Sequence, residues 1–124
     1  MTRNKRSIGA VYEAMAARYL TEHGYIIRAR NYHSPYGELD IVAEKDSVLV
    51  VVEVKYRSGT RYGSPLEAVT RQKQRRICRA TMGYYAAHGY GEERACRFDV
   101  IGIAGDGTIQ HIQNAFEFQW ESGG

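Results

Sequence analysis

Only two cysteines and two prolines occur in 124 residues. Cys78 and Cys96 lie far apart without metal-ligand spacing, so no zinc finger is encoded, and reduced thiols in a cytoplasmic protein are expected. Long apolar stretches are also missing. The longest, Val48 to Val52, is far too short to cross a bilayer. The basic start, Met1-Thr2-Arg3-Asn4-Lys5-Arg6, is not followed by the apolar run of a signal peptide. His23, His33, His88 and His111 are scattered without ligand spacing and are expected at loops or helix ends. Repeats, linkers and low-complexity segments are absent. One domain over residues 1–124 is expected, with a basic arm at 1–6 and a tail at 114–124.

What is present is ordinary in bulk and uneven in detail. The 44% hydrophobic and 25% charged fractions suit a globular domain that folds without metal or disulfide support. The net charge is only +3, but its positive residues cluster. Arg71, Lys73, Arg75, Arg76 and Arg79 crowd one segment, and Arg3, Lys5 and Arg6 crowd another. Such clusters can attract a polyanion, or can simply be a solvated helix face and a frayed terminus.

Periodicity predicts a helix from Ser7 to about His23, with Ile8, Val11, Tyr12, Met15 and Tyr19 as its apolar stripe, Ser7 as N-cap and Gly24 as stop. A short strand follows over Tyr25 to Arg30, then a turn over Asn31 to Gly37. Gly37–Glu44 and Val48–Tyr56 read as a hairpin across Lys45-Asp46-Ser47. The run Val48–Val52 is apolar on both faces, as in a strand covered on both sides. After a loop at Arg57 to Gly63, Ser64-Pro65-Leu66-Glu67 starts a helix reaching about His88, with Leu66, Val69, Ile77, Ala80 and Tyr84 on one face. Ala95–Ala104 and Thr108–Gln113 form a second hairpin, and Phe116 to Glu121 alternates like a further strand. The tail's Phe116, Phe118 and Trp120 could cover the domain's own sheet or form a dimer interface. The resulting fold class is α/β, one mixed sheet flanked by helices in the order α-β-β-β-α-β-β.

Chemistry concentrates in Gly37-Glu38-Leu39-Asp40-Ile41-Val42 and Val51-Val52-Glu53-Val54-Lys55. Strand alternation places Glu38 and Asp40 on one face, and Glu53 and Lys55 on one face of the next strand. Aligned, they gather three carboxylates and an ammonium at one end of the sheet. A cross-strand ion pair of Lys55 with Asp40 or Glu38 is the ordinary alternative. Yet clustered like charges raise one another's pKa unless a cation intervenes, and magnesium, a hard ion, suits carboxylate oxygens. Glu38 is either a partner of the site or an ion-pair partner of Lys55. Lys73 interrupts the apolar face of the second helix, where it could also snorkel to solvent. Asp99 is expected to make structural hydrogen bonds. Tyr56, Arg57 and Arg61 follow the charged strand and could touch phosphate.

Asp40 with Glu53-Val54-Lys55 resembles the D…(D/E)-x-K signature of the PD-(D/E)XK nuclease superfamily. Gly9 to Glu13, Gly37 to Val42, Val51 to Arg57 and Phe98-Asp99-Val100 together resemble the YraN-like family of uncharacterised bacterial proteins, over Gly9 to about Phe118. That family is similar to archaeal Holliday junction resolvases and restriction endonuclease-like folds. Pro35 departs from the signature, lying five residues before Asp40 rather than beside it. The resemblance implies a restriction endonuclease-like core in which Asp40, Glu53 and the Val54 carbonyl ligate magnesium or manganese. Lys55 would orient or deprotonate water and neutralise the scissile phosphate. Glu13 matches the resolvases' helix-one glutamate, which reaches the metal directly or through water; read alone it is a surface glutamate. Lys73 matches the polar residue that related nucleases place on this helix. The implied activity is hydrolysis of DNA, branched or otherwise structured, with Arg57, Arg71, Arg75, Arg76 and Arg79 on backbone phosphates and a homodimer allowed by analogy with the resolvases. The alternative is a non-catalytic nucleic-acid-binding or scaffold module on the same fold, and DNA is not separated from RNA.

Overall fold

Five consecutive aliphatic residues, Val48–Val52, can be buried on both faces only in a central strand with a covering layer on each side. The computed structural model, which describes residues 5–57 and 65–119 and the side chains of all these except 5–7, puts them there. The elements run α1 (Lys5–Glu22), β1 (Ile26–Ser34), β2 (Gly37–Lys45), β3 (Val48–Arg57), a 3₁₀ turn (Pro65–Ala68), α2 (Arg71–His88), β4 (Cys96–Ala104) and β5 (Ile109–Phe116). The strands lie in the order β1-β2-β3-β4-β5, antiparallel except for the parallel pair β3–β4 that α2 connects. Such a parallel pair requires a crossover connection. This mixed sheet, flanked by two helices, is consistent with a restriction endonuclease-like core.

Each helix seals one face. Ala16, Ala17 and Leu20 of α1 pack with Ile41, Val50, Val52, Ile101 and Ile103. Ile77, Ala80 and Tyr84 of α2 pack with Leu39, Val42, Leu49, Val51 and Val100. Burying one aliphatic side chain contributes about 1.5–3 kcal/mol, so these two clusters dominate the fold's stability.

The expected first helix and its buried side need correction. It begins at Lys5, so Ser7 lies inside it and is no N-cap, and Lys5 and Arg6 are helical rather than part of an arm. Among its described side chains the buried ones are Glu13, Ala16, Ala17 and Leu20; Tyr12, Met15 and Tyr19 are half-buried against the core, and Val11 is 42% exposed. Small alanines, invisible to a search for bulky residues, let the helix sit close to the sheet. Gly24 does end the helix, with φ of 88°. β1 runs on to Ser34 because its polar residues pair with β2, which leaves only Pro35 and Tyr36 for the turn. The hairpin β2–β3 turns on Asp46 and Ser47, both at positive φ.

The single long helix expected after residue 63 is two elements. Val69 and Thr70 interrupt it, and the Thr70 side chain caps α2 by accepting from the Lys73 N–H at 3.2 Å. Ser64 as a cap, together with Arg61, Trp120 and Arg3, lies outside the described residues. β5 continues to Phe116, so residues 114–116 belong to the sheet and not to a tail, and 117–119 form no strand.

The 3₁₀ turn lies directly on β4. A Cβ at Gly102 would come within 2.5 Å of Pro65 Cγ and 2.8 Å of its Cβ. Gly102→Ala is therefore expected to displace this turn and destabilise the protein by about 1–3 kcal/mol, read as a lower denaturation midpoint. An unchanged midpoint would show that Pro65 yields freely.

Candidate active site

Pairing between β2 and β3 ends at Ile41↔Val52, whereas β3 stays paired with β4 as far as Arg57. Where β2 leaves, the strand also turns over. Leu39 packs on the α2 side and Ile41, two residues later, on the α1 side. Asp40 stands at that turnover, opposite Asn31, whose φ is 50°. Its Oδ2 accepts the Val54 N–H at 2.9 Å, occupying a donor that β2 no longer pairs.

The other charged groups meet Asp40 there. Glu53 and Lys55 alternate with Val52 and Val54 and so share the face that Val51 presents to α2. Lys55 Nζ lies 3.1 Å from Glu53 Oε1, and both side chains are largely buried. Glu53 also shares a side-chain hydrogen bond with Asp40. From α2, Lys73 hydrogen-bonds Lys55 and lies within range of both carboxylates. Lys73 thus turns toward the charged cluster.

Electrostatics separates these four groups. Burial, then the charge of Asp40, pushes the Glu53 carboxyl up to about 7 against the pull of the two lysines. Burial likewise raises Asp40, opposed by the Val54 N–H, Lys55 and Lys73. Burial lowers Lys55, but the charge of Glu53 and the hydrogen bond with Lys73 outweigh it, so Lys55 is raised and stays protonated. Lys73 is lowered by its hydrogen bond with Lys55, then by burial and the positive charge of Lys55. The hydrogen bond between the two lysines raises Lys55 and lowers Lys73. The resemblance has Lys55 orient or deprotonate water and neutralise the phosphate, and its raised pKa suits the charged, orienting role.

On the α1 side, a cleft of ≈ 580 Å³ is lined by Glu13, Asp40, Val54, Tyr56 and Glu38, among others. Glu13 is buried, 6% exposed, despite being a lone glutamate on a helix. Burial and the nearby charge of Asp40 raise its pKa, while Arg30, 3.4 Å away, opposes them. Glu38 departs from the expected cluster. Because β2 turns over at Asp40, Glu38 meets His33 on β1 at 3.0 Å, both side chains exposed, instead of facing Lys55.

Do these groups suit a cation? Among the described residues, no three His, Cys, Asp or Glu are gathered closely enough to hold a metal ion. That argues against a zinc-type cage. It leaves Asp40 and Glu53, two crowded carboxylates with raised pKa, which match magnesium's habit of taking one or two carboxylates and completing its shell with water. The resemblance adds the backbone carbonyl of Val54, the residue whose N–H bonds Asp40. Glu13 stands outside a shared ligand set, so its reach to an ion would run through water.

Of the expected phosphate-binding arginines, Arg71 and Arg76 are exposed on α2, and Arg75, Arg79 and Arg57 are half-buried. Tyr12, read from sequence only as part of an apolar stripe, and Arg30, not singled out there, belong to the site's surroundings. Tyr12 stacks on Tyr56, with ring centroids 4.0 Å apart. Arg30 could have been sought as the counter-charge that a buried glutamate demands.

Elsewhere, Asp99 is buried and makes the structural hydrogen bonds expected of it. Burial would raise it, but bonds from His111 at 2.7 Å, Arg97 and the Asn114 N–H hold it below the usual carboxylate range. His111 is thus a strand residue in a buried network, contrary to its expected place at a loop or helix end. No helix is long and apolar enough to cross a membrane, among the described residues.

Residues 12–103 match the model of uncharacterised protein family UPF0102. A UPF0102 protein of Lachnoclostridium phytofermentans is 46% identical over 114 residues, covering 92% of this chain and 96% of the relative. One from Symbiobacterium thermophilum is 48% identical over 115 residues, covering 90% and 97%. One from Desulfosudis oleivorans is 42% identical over 118 residues, covering 94% and 95%. The chain belongs to the uncharacterised protein family UPF0102, the YraN-like family that its sequence resembles.

Proposed function

We propose that this protein is a magnesium- or manganese-dependent endonuclease of the PD-(D/E)XK type, hydrolysing phosphodiester bonds in DNA that is branched or otherwise structured. The observation that carries the reading is the convergence of Asp40, Glu53, Lys55 and Lys73 where β2 and β3 part. A structural ion pair needs one carboxylate and one lysine. Two of each drawn together, with both carboxylates raised, is a costly arrangement for stability alone.

Asp40, Glu53 and the Val54 carbonyl would hold the ion, which when bound supplies Lewis-acid polarisation and charge neutralisation at the phosphate. Lys55, kept protonated by Glu53, offers positive charge to the scissile phosphate. Lys73, hydrogen-bonded to Lys55 and drawn toward both carboxylates, is the candidate partner for the attacking water. Arg71 and Arg76 expose charge that would hold backbone phosphates without reading sequence. DNA rather than RNA, and a homodimer acting on two strands, rest on the likeness to resolvases and on nothing in the fold itself.

The test is cleavage of a panel of branched, flapped, single-stranded and duplex DNA, and RNA, with magnesium or manganese. Wild type should cut at least one class, with Asp40→Ala and Lys55→Ala inactive. Cleavage that persists in both variants would place the chemistry elsewhere. Absence of any cleavage, with nucleic acid still bound, would favour the binding module.

A further inference from the structure

The cleft on the α1 side, which Asp40 lines but Glu53, Lys55 and Lys73 do not, has an aromatic wall that phosphodiester hydrolysis does not require. Tyr12 of α1 and Tyr56 of β3 stack nearly parallel, with centroids 4.0 Å apart and an interplanar angle of 18°. Both line the cleft that also holds Asp40. Although Tyr12 covers one face of its ring, Tyr56 remains 40% exposed. We propose that this cleft receives an unpaired nucleotide, its base stacked on the open side of Tyr56. The inference rests on the nucleic-acid reading of the same site and narrows it to substrates with an unpaired base next to the bond.

Three further features fit that occupant. A volume of ≈ 580 Å³ lies within the range of small-ligand pockets, room for a nucleotide but not for a duplex. Gly9, on the same wall, weakens the helix it interrupts, and no packing calls for it: a Cβ there would meet nothing within 4 Å. Its lack of a side chain keeps that part of the wall open to an approaching backbone. Across the cleft, Asn31 and His33 are exposed and carry donors and acceptors for a base edge.

The discrimination follows from stacking. Bases inside a duplex already have both faces covered, so only an unpaired base can offer one to a tyrosine. A tyrosine pair that merely pinned α1 to the sheet would make no such distinction.

The experiment uses a short strand carrying one 2-aminopurine, as DNA and as RNA, whose fluorescence falls when the base stacks. Wild type should quench it with DNA, RNA or both, and should bind the single strand more tightly than the same DNA annealed into a full duplex. Tyr56→Phe, which keeps the ring, should retain the quenching. Tyr56→Leu, checked for an unchanged unfolding midpoint, should lose it and bind about 5- to 150-fold more weakly. Should Tyr56→Leu fail to fold, the wild-type comparison of single strand with duplex decides alone. Equal binding of strand and duplex, or quenching unchanged by Tyr56→Leu, would overturn the proposal, as would failure of wild type to quench either strand. Product on a gel is scored separately. Tyrosine-dependent quenching without product would sink the nuclease reading alone, and product without that quenching would sink this one alone.

Discussion

Replacing Lys55 with methionine is expected to slow phosphodiester cleavage about 10²- to 10³-fold, because it removes a fixed positive charge from the place where negative charge develops. Lys55→Arg should recover part of the loss, since charge and not basicity is what Lys55 supplies. Lys73 should behave oppositely. Arginine keeps the charge but cannot be deprotonated in a protein, so Lys73→Arg should lose about 10²- to 10⁴-fold if Lys73 takes the proton. Single-turnover rates on the substrate that the panel identifies would read both. If Lys73→Arg were fully active and Lys55→Arg dead, the two roles would be reversed and the electrostatic assignment from their mutual hydrogen bond would be wrong.

The second large effect is on stability. Glu53 has its pKa raised from 4.5 to about 7, so between those values the folded protein holds a proton that the unfolded chain has lost. Stability therefore falls as pH rises through that window, with a total penalty on the order of a few kcal/mol. Glu53→Gln should weaken the dependence, leaving the part due to Asp40 and Glu13, which are also raised, and should raise the metal-free unfolding temperature at pH 7.5 by several degrees. Asp99 does not confuse the reading. Its pKa is depressed, so its contribution is complete above 3.8 and is lost only as pH falls further. Thermal unfolding of both proteins at pH 5 and 7.5 measures the effect; identical slopes would mean that Glu53 titrates normally. A stabilising change at a group proposed to be functional is the pattern expected when a site is strained for its task.

Much of this was readable from pattern. The two-sided apolar run of β3 announced a covered central strand, and Asp40, Glu53 and Lys55 stood out because charge there breaks an otherwise buried hairpin. Lys73 was legible as an interruption of an apolar helix face. Three things were not legible, each for a physical reason. Glu38 lines the same cleft as Asp40, as alternation suggested, but β2 turns over at Asp40, opposite the positive φ of Asn31, so Glu38 meets His33 and not Lys55. The fully buried side of α1 is Glu13, Ala16, Ala17 and Leu20, with Tyr12, Met15 and Tyr19 of the expected stripe half-buried at its edge and Val11 exposed, so the bulky residues marked only the edge of the buried side. The stack of Tyr12 on Tyr56 joins residues 44 positions apart, and no local spacing encodes it. Position 70 was hidden differently: Pro65 and Glu67 look like a strong helix start, while the threonine cap that begins α2 comes later.

The most direct test is a calorimetric titration of magnesium into the protein at pH 7.5, beside Asp40→Asn and Glu53→Gln. Saturable binding in wild type, lost in both folded variants, is the expected result, because the two crowded carboxylates are what the ion relieves. Equal binding by all three proteins, or none by wild type, would contradict a cation site at the parting of β2 and β3.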